Sequence, residues 1–271
     1  MQQKRLCPEP SNEAALYYRA EDKTLRPVDP LQQHLPVLRG STYAGQFCYV
    51  ADDDLPIPGN TYYSVGAIQG QTKDPKSEAA LQKWERQVGK QEAERIRNEA
   101  VGAGKAAHAV LHSRLTGEVF SPVSSRYEPY LRALEQVLPN FDQPLLSEQM
   151  VVNFKYRYYG VIDQLCPYKG KLTLSDLKTS SKAKTLMDWI QDKVQQLTAY
   201  YLALESLYDL EQAALLYLIG DATHDEFIFT PAQMELYKHN WLERLDLFRR
   251  RELVGFDSSR LEEPCLLVSK R

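Results

Sequence analysis

From residue 77 to about 115, long polar and charged stretches carry Ala80, Leu81, Trp84, Val88 and Ile96 at helical spacing, the pattern of exposed amphipathic helices. Gly102 and Gly104 are expected to interrupt that helical region. Downstream the period shortens. Residues 145–154 and 156–166, rich in Val, Phe, Tyr and Ile, predict two strands, and Tyr168-Lys169-Gly170-Lys171 predicts a hairpin turn into a third over 172–178. A helix is expected over about 186–207. The apolar run 213–219 is short enough for a buried strand, with 226–229 as its hairpin partner. Thr230-Pro231-Ala232-Gln233 starts the last helix, because it offers a Thr N-cap, a Pro at the first helical position and a Gln three residues after the cap. That helix should run to about Arg251.

Residues 1–60 read differently. Seven prolines (Pro8, Pro10, Pro27, Pro30, Pro36, Pro56, Pro58) and the acidic run Asp52-Asp53-Asp54 predict an irregular N-terminal arm, followed by one catalytic domain over 61–271. No internal repeat is present. The order of helix, three strands, helix, strands, helix gives an α/β fold with a small mixed sheet flanked by helices. A hydrophobic share of 43% and a charged share of 25% fit a chain that folds around its own core. No apolar run approaches the ~18 residues of a membrane span, and the polar start leads into Pro8 and Glu9, so a soluble intracellular protein, cytoplasmic in a prokaryote or virus, is expected. Cys7, Cys48, Cys166 and Cys265 are widely spaced with no C-x-x-C pair, which predicts reduced thiols rather than a zinc ribbon or disulfide framework. The net charge of −3 supplies no global field for nucleic acid and argues against a passive, sequence-independent DNA coat.

Strand alternation then singles out charges that extend apolar stripes. Asp176 and Lys178 share parity with Leu172 and Leu174, Asp163 with Val161 and Leu165, and Glu148 with Met150, Val152 and Phe154. A partly buried carboxylate costs free energy unless it is paired or coordinates a metal. An isolated D-x-K triplet reads most simply as a structural ion pair; three carboxylates able to converge from neighbouring strands point to a cation site. Magnesium commonly takes one or two protein carboxylates and keeps water and phosphate oxygens, a demand that Asp163 and Asp176 meet. Lys178 would orient the attacking water and stabilise charge developing on phosphorus. His108 and His112 are four apart but lack the Glu of H-E-x-x-H, so a zinc hydrolase helix is rejected and His112 is read as a structural histidine. Lys169, Lys171, Lys182, Lys184 and Arg249-Arg250-Arg251 could track phosphates, and Tyr156, Tyr158 and Tyr159 could stack bases; they fit solvated faces and ordinary sheet residues equally well.

Gly160-Val161-Ile162-Asp163, Asp176-Leu177-Lys178 and Gln196-Leu197-Thr198-Ala199-Tyr200, with Glu148 upstream and Gly104-Lys105-Ala106-Ala107-His108 before it, resemble the G-x-x-D, D-x-K, Q-x-x-x-Y and G-x-x-x-H motifs of the RecB-like exonuclease family within the PD-(D/E)XK nucleases. The resemblance covers about 60–251 and is specific from 104 to 200. It implies a restriction-endonuclease-like core and a Mg2+- or Mn2+-dependent DNA exonuclease acting at single-stranded ends, in replication, repair or recombination. By the same resemblance His108, Asp163, Asp176 and the backbone carbonyl of Leu177 hold the metal, Glu148 and Lys178 complete the catalytic set, and Gln196 and Tyr200 lie near the DNA backbone. Being four apart, Gln196 and Tyr200 share a helix face, although Tyr200 also fits an ordinary core position beside Leu197, Tyr201 and Leu204. Only Cys265 lies near the C-terminus, so no iron–sulfur cluster is expected. A structure-specific endonuclease and a catalytically silent DNA-binding module of the same fold are the alternatives.

Overall fold

The computed structural model describes residues 13–29, 35–119, 121–184 and 190–256. Within the proline-rich N-terminal region, four strands form where an irregular arm is expected: β1 (Ala14–Arg19), β2 (Leu25–Pro27), β3 (Leu38–Tyr43) and β4 (Gln46–Ala51). The prolines punctuate these strands rather than prevent them, since Pro36, Pro56 and Pro58 fall in connections and Pro27 ends β2. Arg39 ties down the acidic run by donating to the carbonyls of Asp52 (3.0 Å) and Asp54 (2.6 Å). Pro8, Pro10, Pro30, Cys7 and Cys265 lie outside the described residues, and with Cys265 the expectation about an iron–sulfur cluster.

A short β5 (Tyr63–Ser64) leads into α1 (Val65–Gln71), then α2 (Pro75–Val88) and α3 (Lys90–Thr116). The helical region breaks at Gly89, whose φ of 86° suits glycine, and not at Gly102 or Gly104. Both lie inside α3, and Gly102 serves close packing: a Cβ there would fall 1.9 Å from the Tyr127 hydroxyl. After α4 (Glu128–Val137) come β6 (Leu146–Asn153), β7 (Tyr158–Tyr168), β8 (Lys171–Ser180), α5 (Gln191–Leu204), β9 (Gln212–Ile219), β10 (His224–Phe229) and α6 (Pro231–Leu253). Each falls within a few residues of its expected span. The expected capping box is formed, with Thr230 and Gln233 bonding reciprocally.

The sheet is larger than expected because the N-terminal strands join it. Its ten strands run β10-β9-β8-β7-β6-β1-β2-β3-β4, with β5 paired to the start of β7; β8/β9 and β5/β7 are parallel and the rest antiparallel. A bridge from Tyr49 to Tyr62, just before β5, closes the N-terminal strands into a ring of pairings around Tyr17, Leu25, Leu38, Tyr49 and Val152. The other half is an α/β/α sandwich. Along β9, Ala213, Leu215, Tyr217 and Ile219 face α5 and α6, while Ala214, Leu216 and Leu218 face α3 and α4, which explains an apolar run without polar alternation.

The sandwich brings α5 very close to β7. The Tyr200 ring lies over Gly160, where a Cβ would meet a ring carbon at 2.3 Å. Gly160→Ala should therefore overpack this contact and lower stability by about 1–3 kcal/mol. Urea unfolding of the variant checks this: the midpoint should fall with an unchanged slope, and an unmoved midpoint would contradict the packing.

Candidate active site

The strand register puts three carboxylates in one row. On β6 and β7, Ser147 pairs with Gln164 and Gln149 with Ile162, leaving Glu148 opposite Asp163. The β7/β8 ladder ends at Gln164 and Ser175, so the next position across from Asp163 is Asp176. Glu148 has a φ of 50°, a left-handed conformation that costs a non-glycine residue about 1–3 kcal/mol and that surrounding contacts must hold. Strict alternation along β6 and β7 does not survive this row. Leu146 and Val151, and likewise Ile162 and Leu165, stand an odd number of residues apart yet pack into the same core. Both strands turn over at the acids, and the expected stripes of Val161, Asp163 and Leu165, and of Glu148 with Met150, hold on neither. Only β8 keeps its parity.

Helix α3 delivers the histidine. Gly104 faces Thr179 of β8, with room for a Cβ at 3.7 Å, and one turn on His108 reaches the row. His108 Nε2 lies 3.0 Å from the Leu177 carbonyl oxygen; its Nδ1 lies 3.2 Å from Glu148 Oε1 and 3.5 Å from Asp163 Oδ1. Ligand atoms of His108, Glu148 and Asp163 all fall within 4.8 Å of one another. The Leu177 N–H donates to Asp163 Oδ2 at 2.7 Å, and Lys178 Nζ sits 2.5 Å from Asp176 Oδ2. Asp176 is buried, and its Oδ1 has no hydrogen-bond partner among the described residues. A cleft of about 490 Å³ lined by Gly104, Lys105, His108 and Glu148 opens on the α3 side.

The electrostatics are those of a site short of positive charge. Burial, and then the neighbouring Asp176, push the Asp163 carboxyl up to about 7, against the pull of Lys178, His108 and the Leu177 N–H. Burial would depress His108, but its hydrogen bond to Glu148 and the charge of Asp163 outweigh that and raise it above the usual imidazole range. Burial likewise disfavours the Lys178 ammonium, and Asp176 and Asp163 more than restore it. Carboxylates, a carbonyl and an imidazole form a donor set suited to Mg2+ or Mn2+. A buried carboxylate oxygen without a partner and an acid held partly protonated are what such a cation would relieve.

Other expected site residues fall elsewhere. Tyr200 is buried, 5% exposed, and its hydroxyl accepts from Gln196 Nε2 at 3.1 Å, so the ring is a wall of the site packed on Gly160, as the core alternative has it. Gln196 is half-buried. Tyr158 is buried edge-on against Trp241, which leaves it unable to stack a base, and the half-buried Tyr159 packs edge-to-face with Tyr49. Arg249 is engaged by Glu252 and the carbonyls of Tyr156 and Arg157, Arg250 by Asp246, Arg251 by the Gln71 carbonyl and Lys169 by Glu226. His112 contacts Ser147 and Glu118, a structural role. Sequence reasoning missed Lys193, three residues before Gln196 and seven before Tyr200 on α5; its helical spacing with those two was the available signal.

The sequence is similar to mitochondrial genome maintenance exonuclease 1 of Mus musculus, 26% identical over 214 residues, and of Homo sapiens, 24% identical over 213. Each alignment takes in 73% of this chain but only 62% and 61% of the relative, so the chain spans less than two thirds of their length. Among the described residues, no helix is long and apolar enough to cross a membrane. The model of the PD-(D/E)XK nuclease superfamily matches residues 60–254, a stretch that holds every acid of the row, His108 and Lys178, and the chain belongs to that superfamily.

Proposed function

We propose that the chain is a divalent-metal-dependent deoxyribonuclease that hydrolyses phosphodiester bonds at free, single-stranded DNA ends. The observation that carries this reading is the row of Glu148, Asp163 and Asp176 across three adjacent strands, with His108 and the Leu177 carbonyl on one side and Lys178 on the other. His108, Asp163, Asp176 and the Leu177 carbonyl would hold the cation, with Glu148 beside them. When bound, the cation supplies Lewis acidity that lowers the pKa of water and neutralises charge on the phosphate. Exonuclease action, rather than cutting within a strand, is supported by the names of the curated relatives.

The protein's own groups do the rest. Lys178, an ammonium with no acceptor capacity, cannot ligate a cation, but beside Asp176 it can position water and stabilise charge that develops only as the bond breaks. Gln196 lines the same side of the site and can donate to the substrate, while Tyr200 fixes its amide through the hydroxyl contact. Glu148, held in its left-handed conformation, meets the imidazole of His108 and orients it.

Two outcomes are expected. With magnesium or manganese, the purified protein should shorten end-labelled single-stranded DNA and leave a covalently closed single-stranded circle intact; chelation should stop the reaction. Lys178→Ala should lower single-turnover cleavage by roughly a hundredfold or more, since a fixed electrostatic group commonly contributes ~3 kcal/mol to the transition state, while manganese binding persists. A folded variant that cuts at the wild-type rate would remove Lys178 from the chemistry.

A further outcome concerns pH. The folded Asp163 and His108 both bind their protons more tightly than the unfolded chain does. The Asp163 contribution to stability is therefore full at low pH and is lost as pH rises through about 7, and that of His108 is lost as pH rises above the ordinary imidazole range. Without metal, the Tm should fall between about pH 6 and pH 8, and Asp163→Asn should flatten that fall. Manganese should raise the Tm more at the higher pH, because the ligands must shed protons to bind it. Calorimetric scans at both ends of the window measure this, and a Tm that climbs with pH without metal would contradict it.

A further inference from the structure

We infer that Lys193 is a substrate-gripping residue, whose ammonium holds a backbone phosphate of the DNA strand next to the scissile one. The inference rests on the nuclease reading above and adds a residue to it.

The placement comes from α5. Seven residues take an α-helix about 20° short of two full turns, so Lys193 and Tyr200 point in nearly the same direction, about 10 Å apart along the axis, with Gln196 between them. Tyr200 lies on Gly160, three residues before Asp163, and the charged neighbours of the Lys193 ammonium are Lys178, Asp176 and the adjacent Asp192. It is partly buried, and among the described residues it makes no ion pair and no side-chain hydrogen bond. Neighbouring cations differ in this respect. Lys178 is committed to Asp176, Arg244 to Asp192 and Gln195, and Arg249 to Glu252.

For this partly desolvated ammonium, burial and the nearby Lys178 outweigh the attraction of Asp176 and Asp192 in the free protein. Burial and the charge of Lys178 accordingly depress its pKa. An anion bound by Lys193 offsets that cost. A phosphodiester is the anion this reaction brings, and a compact ammonium grips it without reading a base. The role is distinct from that of Lys178: a contact to a phosphate that does not react is equally strong before and during bond breaking, so it governs substrate engagement and not the rate of the bound complex.

The test uses the full chain and a fluorescently labelled single-stranded oligonucleotide. Binding is followed by anisotropy in EDTA over a range of NaCl, and single-turnover cleavage in magnesium. Lys193→Ala should raise the half-saturating concentration about tenfold and leave the rate at saturation within about twofold of wild type. The slope of log affinity against log salt should fall by about 0.7, the value for one phosphate contact on a single strand, and Lys193→Arg should restore it. A folded Lys193→Ala with the wild-type salt slope, or one that loses saturated rate at unchanged half-saturation, would overturn the assignment. Wild-type protein that neither binds nor cuts the oligonucleotide would instead sink the nuclease reading itself.

Discussion

The closeness of the buried Asp163 and Asp176, with Glu148 next in the row, is the constraint on which the rest of this structure depends. Register alone puts them in adjacent positions on β6, β7 and β8, where Glu148 is exposed but Asp163 and Asp176 are buried, so that each aspartate's charge is expensive. What offsets the cost without metal is visible: the Leu177 N–H on Asp163, the Lys178 ammonium on Asp176 and the His108 imidazole between Glu148 and Asp163. It is not enough, since Asp163 holds its proton to about 7 and one oxygen of Asp176 finds no partner among the described residues. The deficit of positive charge is the property that makes the row a cation site, and it is maintained at the expense of stability.

Several features of the fold exist to keep that row crowded. Glu148 adopts a conformation that few non-glycine residues take, which turns β6 over and brings its carboxylate to His108. Gly160 leaves space for Tyr200, so that α5 can settle close enough to carry Gln196 and Lys193 toward the acids. The long α3 approaches β8 at Gly104 and so reaches the Leu177 carbonyl with His108. Around the site, two buried cores fix the sheet from both faces, which leaves the acids little freedom to move apart.

Much of this was legible in the sequence, for reasons that can be named. The strands of the sandwich, the capping box at Thr230 and the hairpin at Lys169-Gly170, with φ values of 52° and 76°, are local features with local signals. Spacing within one element also carried over, as with Gly104 and His108. What failed were arguments that assumed ideal geometry or ignored tertiary packing. Parity on β6 broke because Glu148 departs from strand dihedrals, which nothing in Ser-Glu-Gln announces. Gly102 and Gly104 looked like helix breakers, yet tertiary contacts keep α3 continuous through them and Gly89 breaks it instead. Prolines hid four strands because Pro36, Pro56 and Pro58 fall in connections and Pro27 at a strand end, and Tyr158 and Arg249 resembled DNA contacts until Trp241 and Glu252 claimed them.

The central claim is that the row is held together for a cation, and isothermal titration with manganese at neutral pH tests it most directly. Wild-type protein should bind manganese, and Asp163→Ala and Asp176→Ala, each folded by circular dichroism, should lose that binding. Undiminished manganese binding in either folded variant would contradict the account.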